Sequence, residues 1–168
     1  MALGEFRVKD LVKNIVVIRT PRLDDLDHLL KIENRCFLAH RFKKKDFEYH
    51  FRNPSSIFAL AEGAGLIIGY VAGIVYHGPK HAVGKIYSMA VLSEWRKLGV
   101  GSALLNYFER EAMKRGSESA TLEVRKTNRA AIGLYRRFGY HVERTLPDYY
   151  ASGSDGLKMR KLLEAGRN

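Results

Sequence analysis

The sequence predicts an α/β fold, in which strands alternate with helices around a mixed sheet. The apolar run 86–91 is bulky and short, as expected of a buried strand. Residues 103–114 repeat their apolar side chains at helical spacing. A turn containing Gly99 and Gly101 joins the two segments. A strand, a turn and a helix in this order are typical of α/β layers.

Length and composition indicate a single domain. The chain has 168 residues, within the usual ~100–200 residues of one domain, and 46% of them are hydrophobic. No apolar run reaches the roughly 18 residues that a membrane-crossing helix needs, so we expect no membrane partner. We expect an N-terminal extension over residues 1–14, a folded domain over 15–162 and a C-terminal tail over 163–168.

Charge and cysteine content bear on partners and compartment. A formal net charge of +11 favours anionic partners such as nucleic acid or phosphorylated ligands. Cys36 is the one cysteine, which excludes an internal disulfide and fits a reducing compartment. Residues 1–14 lack the apolar segment of a secretory signal. These features predict a cytoplasmic protein.

The N-terminal third predicts one strand and two helices. Residues 15–18 are β-branched, which favours a short strand. Thr20 and Pro21 suit the cap and the first position of a helix. Residues 46–51 predict a second, short helix.

Two further strands are predicted before the central one. Residues 57–62 and 66–76 are joined by a tight turn at 63–65. His77 and His81 follow in a loop whose Gly and Pro exclude a helix that would align them. We therefore predict no metal site.

After the helix 103–114, the sequence predicts one more strand–helix unit. Residues 120–124 form the strand, with Leu122 and Val124 on one face and Glu123 on the other. Asn128 suits the cap of the next helix.

The chain ends in a predicted strand pair, 140–143 and 157–162. Gly139 ends the helix before it. We expect a loop between the two strands that contains Pro147, Asp148, Tyr149 and Tyr150.

The turn before the helix 103–114 has the features of an anion site. A helix start leaves backbone N–H groups without partners and carries partial positive charge. Gly99 and Gly101 let an anion approach the backbone, and Arg96 and Lys97 add full charges. Together they predict a cradle for a pyrophosphate. The alternative is a glycine-rich cap, because the turn lacks a Walker motif and the third glycine of a dinucleotide fingerprint.

Two segments resemble one family. Residues 96–101, Arg-Lys-Leu-Gly-Val-Gly, resemble the Arg/Gln-x-x-Gly-x-Gly/Ala signature of the GNAT acetyltransferases. Residues 122–140, which begin Leu-Glu-Val-Arg-Lys-Thr-Asn and end Leu-Tyr-Arg-Arg-Phe-Gly-Tyr, resemble a segment of the N-terminal protein acetyltransferases, a branch that includes RimI-type and archaeal enzymes. The resemblance covers roughly residues 15–162.

The resemblance implies a more specific fold and a co-substrate. The GNAT fold has a mixed, mostly antiparallel sheet of about seven strands flanked by about four helices. Its sheet splays between the central strand and the strand 120–124, and the pantetheine arm of acetyl-CoA lies in that split. The reaction is direct attack of an amine on the thioester.

The resemblance also assigns two catalytic residues. Glu123 matches the general base of the RimI-type branch, acting through a water, whereas spacing alone favours an exposed glutamate in a salt bridge, for example with Arg125. Tyr135 matches the tyrosine that protonates the departing thiolate, which a phenol of pKa about 10 can do. The alternative for Tyr135 is a core side chain on the helix face.

The binding residues follow from the same resemblance. Tyr149 and Tyr150 match a tyrosine pair that closes over the substrate N-terminus, and Phe37 and Tyr87 are predicted to line the peptide groove. The predicted acetyl-CoA contacts are Met89, Ala90, Val91, Arg96, Lys97, Leu98, Gly99, Val100, Gly101, Ser102 and Asn128.

The sequence departs from the family pattern in three places. Lys85 stands where some relatives place a His or Tyr that assists the base, which weakens any claim of a second base. Residues 152–156 replace the usual Asp-Gly-Glu-Asp-Ala, and residues 38–40 lack the Leu-Pro-Glu substrate loop. The preference for the first acceptor residue is therefore open.

The predicted function is transfer of acetyl from acetyl-CoA to the α-amino group of protein N-termini. An α-amine of pKa near 8 is about one-tenth neutral at pH 7, which suits a modest base better than a lysine side chain does. Acetylation of lysine or small amines is the alternative, and a catalytically silent basic module that binds ribosomes or nucleic acid is an alternative of another class. We expect a peptide partner, possible ribosome association, no direct nucleic-acid role, and a monomer or weak dimer.

Overall fold

The computed structural model of the protein describes residues 16–39, 41–150 and 153–164. These residues form seven strands in one sheet and four α-helices. The strands are β1 Val17–Arg19, β2 Ser56–Gly63, β3 Leu66–His77, β4 Ala82–Val91, β5 Ser117–Arg125, β6 His141–Tyr150 and β7 Ser154–Leu162. The helices are α1 Leu26–Cys36, α2 Lys44–Arg52, α3 Val100–Lys114 and α4 Arg129–Arg137.

The sheet has the order β1-β2-β3-β4-β5-β7-β6 and is antiparallel except for the parallel pair β4–β5. Helices α3 and α4 cover one face with a core that includes Leu104, Phe108 and Leu122. Helices α1 and α2 cover part of the other face, where Leu29 and Phe47 are fully buried. The predicted mixed, mostly antiparallel sheet with flanking helices is confirmed.

The sheet opens between its two parallel strands. Pairing of β4 with β5 runs from Ala82 opposite Ser117 to Ile86 opposite Leu122. Beyond Ile86, β4 continues to Val91 beside β3, while β5 continues beside β7. The two central strands therefore diverge, as the resemblance implies.

Strand β4 has a bulge at Tyr87, and beyond this bulge some of its backbone N–H and C=O groups face the opening. The β3–β4 register shifts between the pairs that include Ile86 and Ser88. Farther along, Leu92 N donates to the carbonyl of Ile68 on β3. Because hydrogen bonding alternates along an antiparallel pair, Met89 and Val91 direct their backbone groups to the β5 side.

The predicted start of the first helix at Thr20 and Pro21 is wrong. Asp25 accepts a hydrogen bond from Arg22 N at 2.7 Å and pairs with the Arg19 guanidinium at 2.8 Å. These contacts hold a single 3₁₀ turn, Leu23–Asp25, after which α1 begins. The side chain of Asp25, rather than that of Thr20, accepts the local backbone hydrogen bond at the start of this helical segment.

The predicted loop between the last two strands is also wrong. Pro147, Asp148, Tyr149 and Tyr150 belong to β6, which runs on to pair Tyr150 with Ser154. The register shifts between Leu146 and Tyr150, and Asp148 takes φ 48°. Because β6 lies at the edge of the sheet, it tolerates both the proline and the bulge.

The ends of the chain are described only in part. The predicted extension over 1–14 and the first residue of the 15–18 strand lie outside the described residues. Leu163, in the predicted tail, donates its N–H to Glu118 O at 2.8 Å and packs against the core. Among the described residues, no helix has the length and apolar character required to cross a membrane.

Candidate active site

The turn that enters α3 presents a row of backbone donors. Gly99 caps the helix with φ 89°, and Lys97 also takes a left-handed conformation with φ 62°. The first helical bond runs from Ala103 N to Gly99 O at 2.9 Å. The N–H groups of the three residues between Gly99 and Ala103 therefore have no acceptor within the helix.

The side chains of this turn fit an anionic ligand. Arg96 and Lys97 are exposed, and the first turn of α3 contains no acidic residue. Arg96 Nε donates to Val91 O at 3.0 Å, which draws this cation to the mouth of the opening between β4 and β5. A Cβ on Gly101 would lie 3.2 Å from Leu134 Cδ2, so glycine here also lets α4 pack closely against α3.

Asn128 caps α4, as the sequence predicts. Its Oδ1 accepts a hydrogen bond from Ala131 N at 3.1 Å, and the side chain is otherwise exposed. This cap uses the carboxamide oxygen, so the amide nitrogen takes no part in it.

Glu123 forms an ion pair with Lys85. Glu123 lies on the face opposite the buried Leu122 and Val124, as predicted, and its Oε1 is 2.9 Å from Lys85 Nζ. The two side chains are only 14% and 27% exposed. The ion pair with Arg125 considered from the sequence is not the one formed, because the Arg125 guanidinium lies 4.4 Å above the Tyr150 ring centroid.

Aromatic side chains lie on one side of this ion pair, at Tyr87 and its neighbours. Lys85 Nζ lies 5.0 Å from the Tyr87 ring centroid, and the hydroxyls of Tyr87 and Tyr76 are hydrogen-bonded. Burial, followed by the Tyr76 hydroxyl, raises the pKa of Tyr87. His50 of α2 packs near Tyr87, with ring centroids 6.3 Å apart, and burial lowers the pKa of His50 to about 4. His50 is therefore neutral near pH 7.

Tyr135 lies on the other face of β5. It is 7% exposed, within the core under α3 and α4, and its ring centroid lies 5.9 Å from that of Tyr140. Burial, with a smaller effect of Tyr150, raises the pKa of Tyr135. The phenol is therefore held protonated at neutral pH, as a proton donor requires.

Tyr149 and Tyr150 are the last two residues of β6, and Tyr150 lies near Glu123. Burial, with smaller effects of Tyr149 and then Glu123, raises the pKa of Tyr150 to about 12, although Arg125 opposes the rise. Tyr149 is 48% exposed and covers Gly156, where an added Cβ would lie 3.1 Å from its Cδ1. Tyr150 thus lies within electrostatic range of both Glu123 and Tyr135.

Phe37 packs with the residues of α1 and α2 and not with the aromatic residues near Glu123. It ends α1 and packs, half-buried, against the core cluster of α1 and α2. Beside it Glu33, 1% exposed, accepts hydrogen bonds from Phe42 N at 2.6 Å and from the Tyr70 hydroxyl. Tyr70 bonds Ser88 on β4 at 2.6 Å, and burial raises the pKa of Glu33. This network links the α1–α2 connection to the strand that carries Tyr87.

The sequence analysis places Lys85 near the base but misses its ion pair with Glu123, and it misses the Glu33 network. Strand alternation puts Lys85 and Tyr87 on one face of β4, a signal that two-residue spacing carries. The partner strand could not be assigned without the parallel β4–β5 register.

Comparison with known proteins agrees with this geometry. Residues 24–140 match the acetyltransferase (GNAT) family. The chain is 35% identical over 152 residues to an N-alpha-acetyltransferase of Sulfurisphaera tokodaii, an alignment that covers 84% of this chain and 90% of the relative.

Two solved structures have the same fold. The crystal structure of Ard1 from Thermoplasma volcanium has a TM-score of 0.80 at 26% identity and covers 89% of this chain and 99% of that one. Arabidopsis thaliana Naa50, in complex with the bisubstrate analogue CoA-Ac-MVNAL, has a TM-score of 0.76 at 25% identity and covers 87% and 97%. The predicted family is confirmed: the chain belongs to the GNAT family of acetyltransferases and, within it, to the N-alpha-acetyltransferases.

Proposed function

We propose that this chain transfers the acetyl group of acetyl-CoA to the α-amino group of protein N-termini. One feature carries the proposal: a carboxylate and a buried phenol lie on opposite faces of β5, beside the gap that β4 and β5 leave open. Tyr150 lies within electrostatic range of both groups, which supports their action on one ligand in the gap. Family membership supports the same reaction.

The turn and the gap supply the proposed acetyl-CoA contacts. Residues 99–102 would hold the pyrophosphate with backbone donors, with Arg96 and Lys97 adding charge. Met89 and Val91 would bond the pantetheine arm with the backbone groups that face the gap. An N–H group there would also polarise the thioester carbonyl.

Glu123 and Tyr135 would divide the proton transfers. Glu123 takes a proton from the acceptor amine through a water, while the amine nitrogen bonds to the acyl carbon. The carbon–sulfur bond breaks as Tyr135 gives its proton to the departing sulfur. The proton held by Glu123 passes to solvent, and Tyr135 regains one from solvent. Neither step needs a covalent enzyme intermediate, so Cys36 need not act as a nucleophile.

The acceptor end of the site would be lined by tyrosines. Tyr87 and Tyr150 lie near Glu123, and the Tyr149 ring packs against that of Tyr150 with centroids 5.0 Å apart. We infer that their hydroxyls bond a peptide backbone. Phe37, at the C-terminal end of α1, would form one wall of the groove that binds the peptide. This arrangement supports a peptide N-terminus as acceptor.

We also infer the setting in which the protein works. The single free cysteine and the use of acetyl-CoA support a cytoplasmic location. The net charge of +11 supports contact with the anionic ribosome, where nascent N-termini emerge. We also propose that the protein is a monomer or a weak dimer.

The test is an acetyl-transfer assay on peptides with varied first residues, each made with a free and with a blocked α-amine and each containing an internal lysine. We expect acetylation of free α-amines alone, with the ranking of first residues giving the specificity. Equal acetylation of blocked peptides would move the function to lysine. Turnover of small amines alone, or CoA binding without any turnover, would overturn the proposal.

A further inference from the structure

We propose that Lys85 keeps the acceptor α-amine neutral by cancelling the field of Glu123 at the amine. The inference rests on the proposed function, because it concerns the same carboxylate and the same acceptor. It assigns to Lys85 a positioning and electrostatic role in place of a second base.

The sheet fixes the position of Lys85. Across the parallel strands Lys85 pairs with Thr121, and Glu123 lies two residues farther along β5 on the same face. Their side chains meet at 2.9 Å, and the Tyr87 ring packs against the ammonium group. A partly buried ion pair such as this one is screened by salt much less than an exposed pair is.

Other charged and titratable groups face this pair without replacing Lys85. Lys158 on β7 lies opposite Glu123 but pairs with Glu143 at 2.9 Å. Tyr87 of β4 and Tyr150 of β6 lie near Glu123. Tyr76 of β3 and Tyr49 and the neutral His50 of α2 lie near Tyr87, and Arg125 of β5 lies over the Tyr150 ring. In the described part of the chain, Lys85 is the cation paired with Glu123.

An unpaired carboxylate at this point would work against the reaction. A carboxylate near an ammonium group favours the charged form and raises the pKa of the amine. At the separation that one bridging water imposes, the shift is on the order of one pH unit or more. The substrate would bind as a stable ammonium–carboxylate pair, which cannot attack a thioester. With Lys85 in place, the pair has no net charge.

The experiment measures kcat and KM against pH for the wild type and for Lys85→Gln, with a peptide that the wild type acetylates. We expect the rising limb of kcat to move upward by about one pH unit in Lys85→Gln, so that kcat at pH 7 falls roughly tenfold. The KM for the peptide should fall, because the ammonium form binds more tightly. Above pH 9 the variant should recover most of its kcat.

Two further variants separate charge from structure. Lys85→Arg should retain the wild-type profile, because it retains the charge. Lys114→Gln removes a lysine that pairs with Glu111 at 2.7 Å on α3, and it should leave kcat, KM and the pH profile unchanged.

Each outcome decides a different question. An unchanged pH profile in Lys85→Gln, a higher kcat at pH 7, or a loss of kcat that persists above pH 9 would overturn the role of Lys85 and leave the proposed function intact. If the wild type acetylates no free α-amine, the proposed function itself fails.

Discussion

The roles of Glu123 and Tyr135 predict separate effects on turnover. Glu123→Gln removes the proton acceptor and Tyr135→Phe removes the donor, while each retains the side-chain shape. We expect each change to lower kcat by roughly 10²–10⁴-fold, the usual contribution of a general acid or base. Steady-state kinetics checks kcat, and calorimetry should show unchanged affinity for CoA.

Matched changes elsewhere serve as controls for these two variants. Glu118→Gln alters an exposed glutamate on the same strand, and Tyr107→Phe alters a half-buried tyrosine on α3. Both should retain wild-type kcat. Wild-type turnover in Glu123→Gln and Tyr135→Phe would refute the catalytic assignment.

Because the pKa of His50 is lowered, we expect the free energy of unfolding to fall in acid. Burial lowers its pKa from 6.5 to about 4, so the unfolded chain binds the proton more readily than the folded one. This stability is fully present above pH 6.5 and is lost as pH falls to about 4, by roughly 2 kcal/mol after allowing for solvent screening. Urea unfolding at a series of pH values measures it.

The variant His50→Phe should lose that pH-dependent component. Phenylalanine can retain the ring packing against Phe42 and Phe58, and the Ser56 hydroxyl still donates to Gly73 O at 3.2 Å. The same change at the exposed His28 should retain the wild-type slope. An identical slope in His50→Phe would show that other groups cause the acid sensitivity.

At the scale of elements, a substitution in the turn before α3 should affect both the stability of the protein and its affinity for CoA. Gly99 has φ 89° and open space around its missing Cβ, so Gly99→Ala is strained by its backbone alone, at about 1–2 kcal/mol. We expect that loss in the free energy of unfolding together with a weaker affinity for CoA, because the donors of the turn are displaced. Denaturant unfolding and calorimetry measure the two effects.

Gly65 provides the matched control for this prediction. It has φ 75°, also has open space, and lies in the turn between β2 and β3. Gly65→Ala should lose similar stability and bind CoA as the wild type does. Equal CoA affinities in the two variants would exclude the turn at Gly99 from the cofactor site.

Local signals explain which elements the sequence could predict. The run 86–91, the glycine turn and the cap at Asn128 each carry their own pattern, and all lie where they were predicted. The residues 147–150 carry turn signals, yet the β7 partner and the edge position make them strand. The Lys85–Glu123 contact depends on a register between distant strands, which no local pattern reports.

At the scale of the whole molecule, net charge predicts salt-dependent binding. The surplus of +11 attracts a polyanion, and salt screens this attraction over a Debye length of about 10 Å at 0.1 M. Raising the salt from 50 to 500 mM should weaken CoA binding on the order of tenfold. Calorimetry checks this, and dephospho-CoA, with less charge, should show a shallower dependence. An equal dependence for both ligands would argue against this long-range attraction.

The divergence of β4 and β5 leaves the protein as two half-sheets joined by the stretch from Ala82 to Ile86 and by the helices that span them. A pantetheine arm bonded to Met89 and Val91 would occupy the place of the missing strand. We therefore expect hydrogen–deuterium exchange at those two amides to slow when CoA is added, and the melting temperature to rise with CoA concentration. Bound CoA would therefore join the two half-sheets, and its release as product would free the backbone of β4 beside the gap.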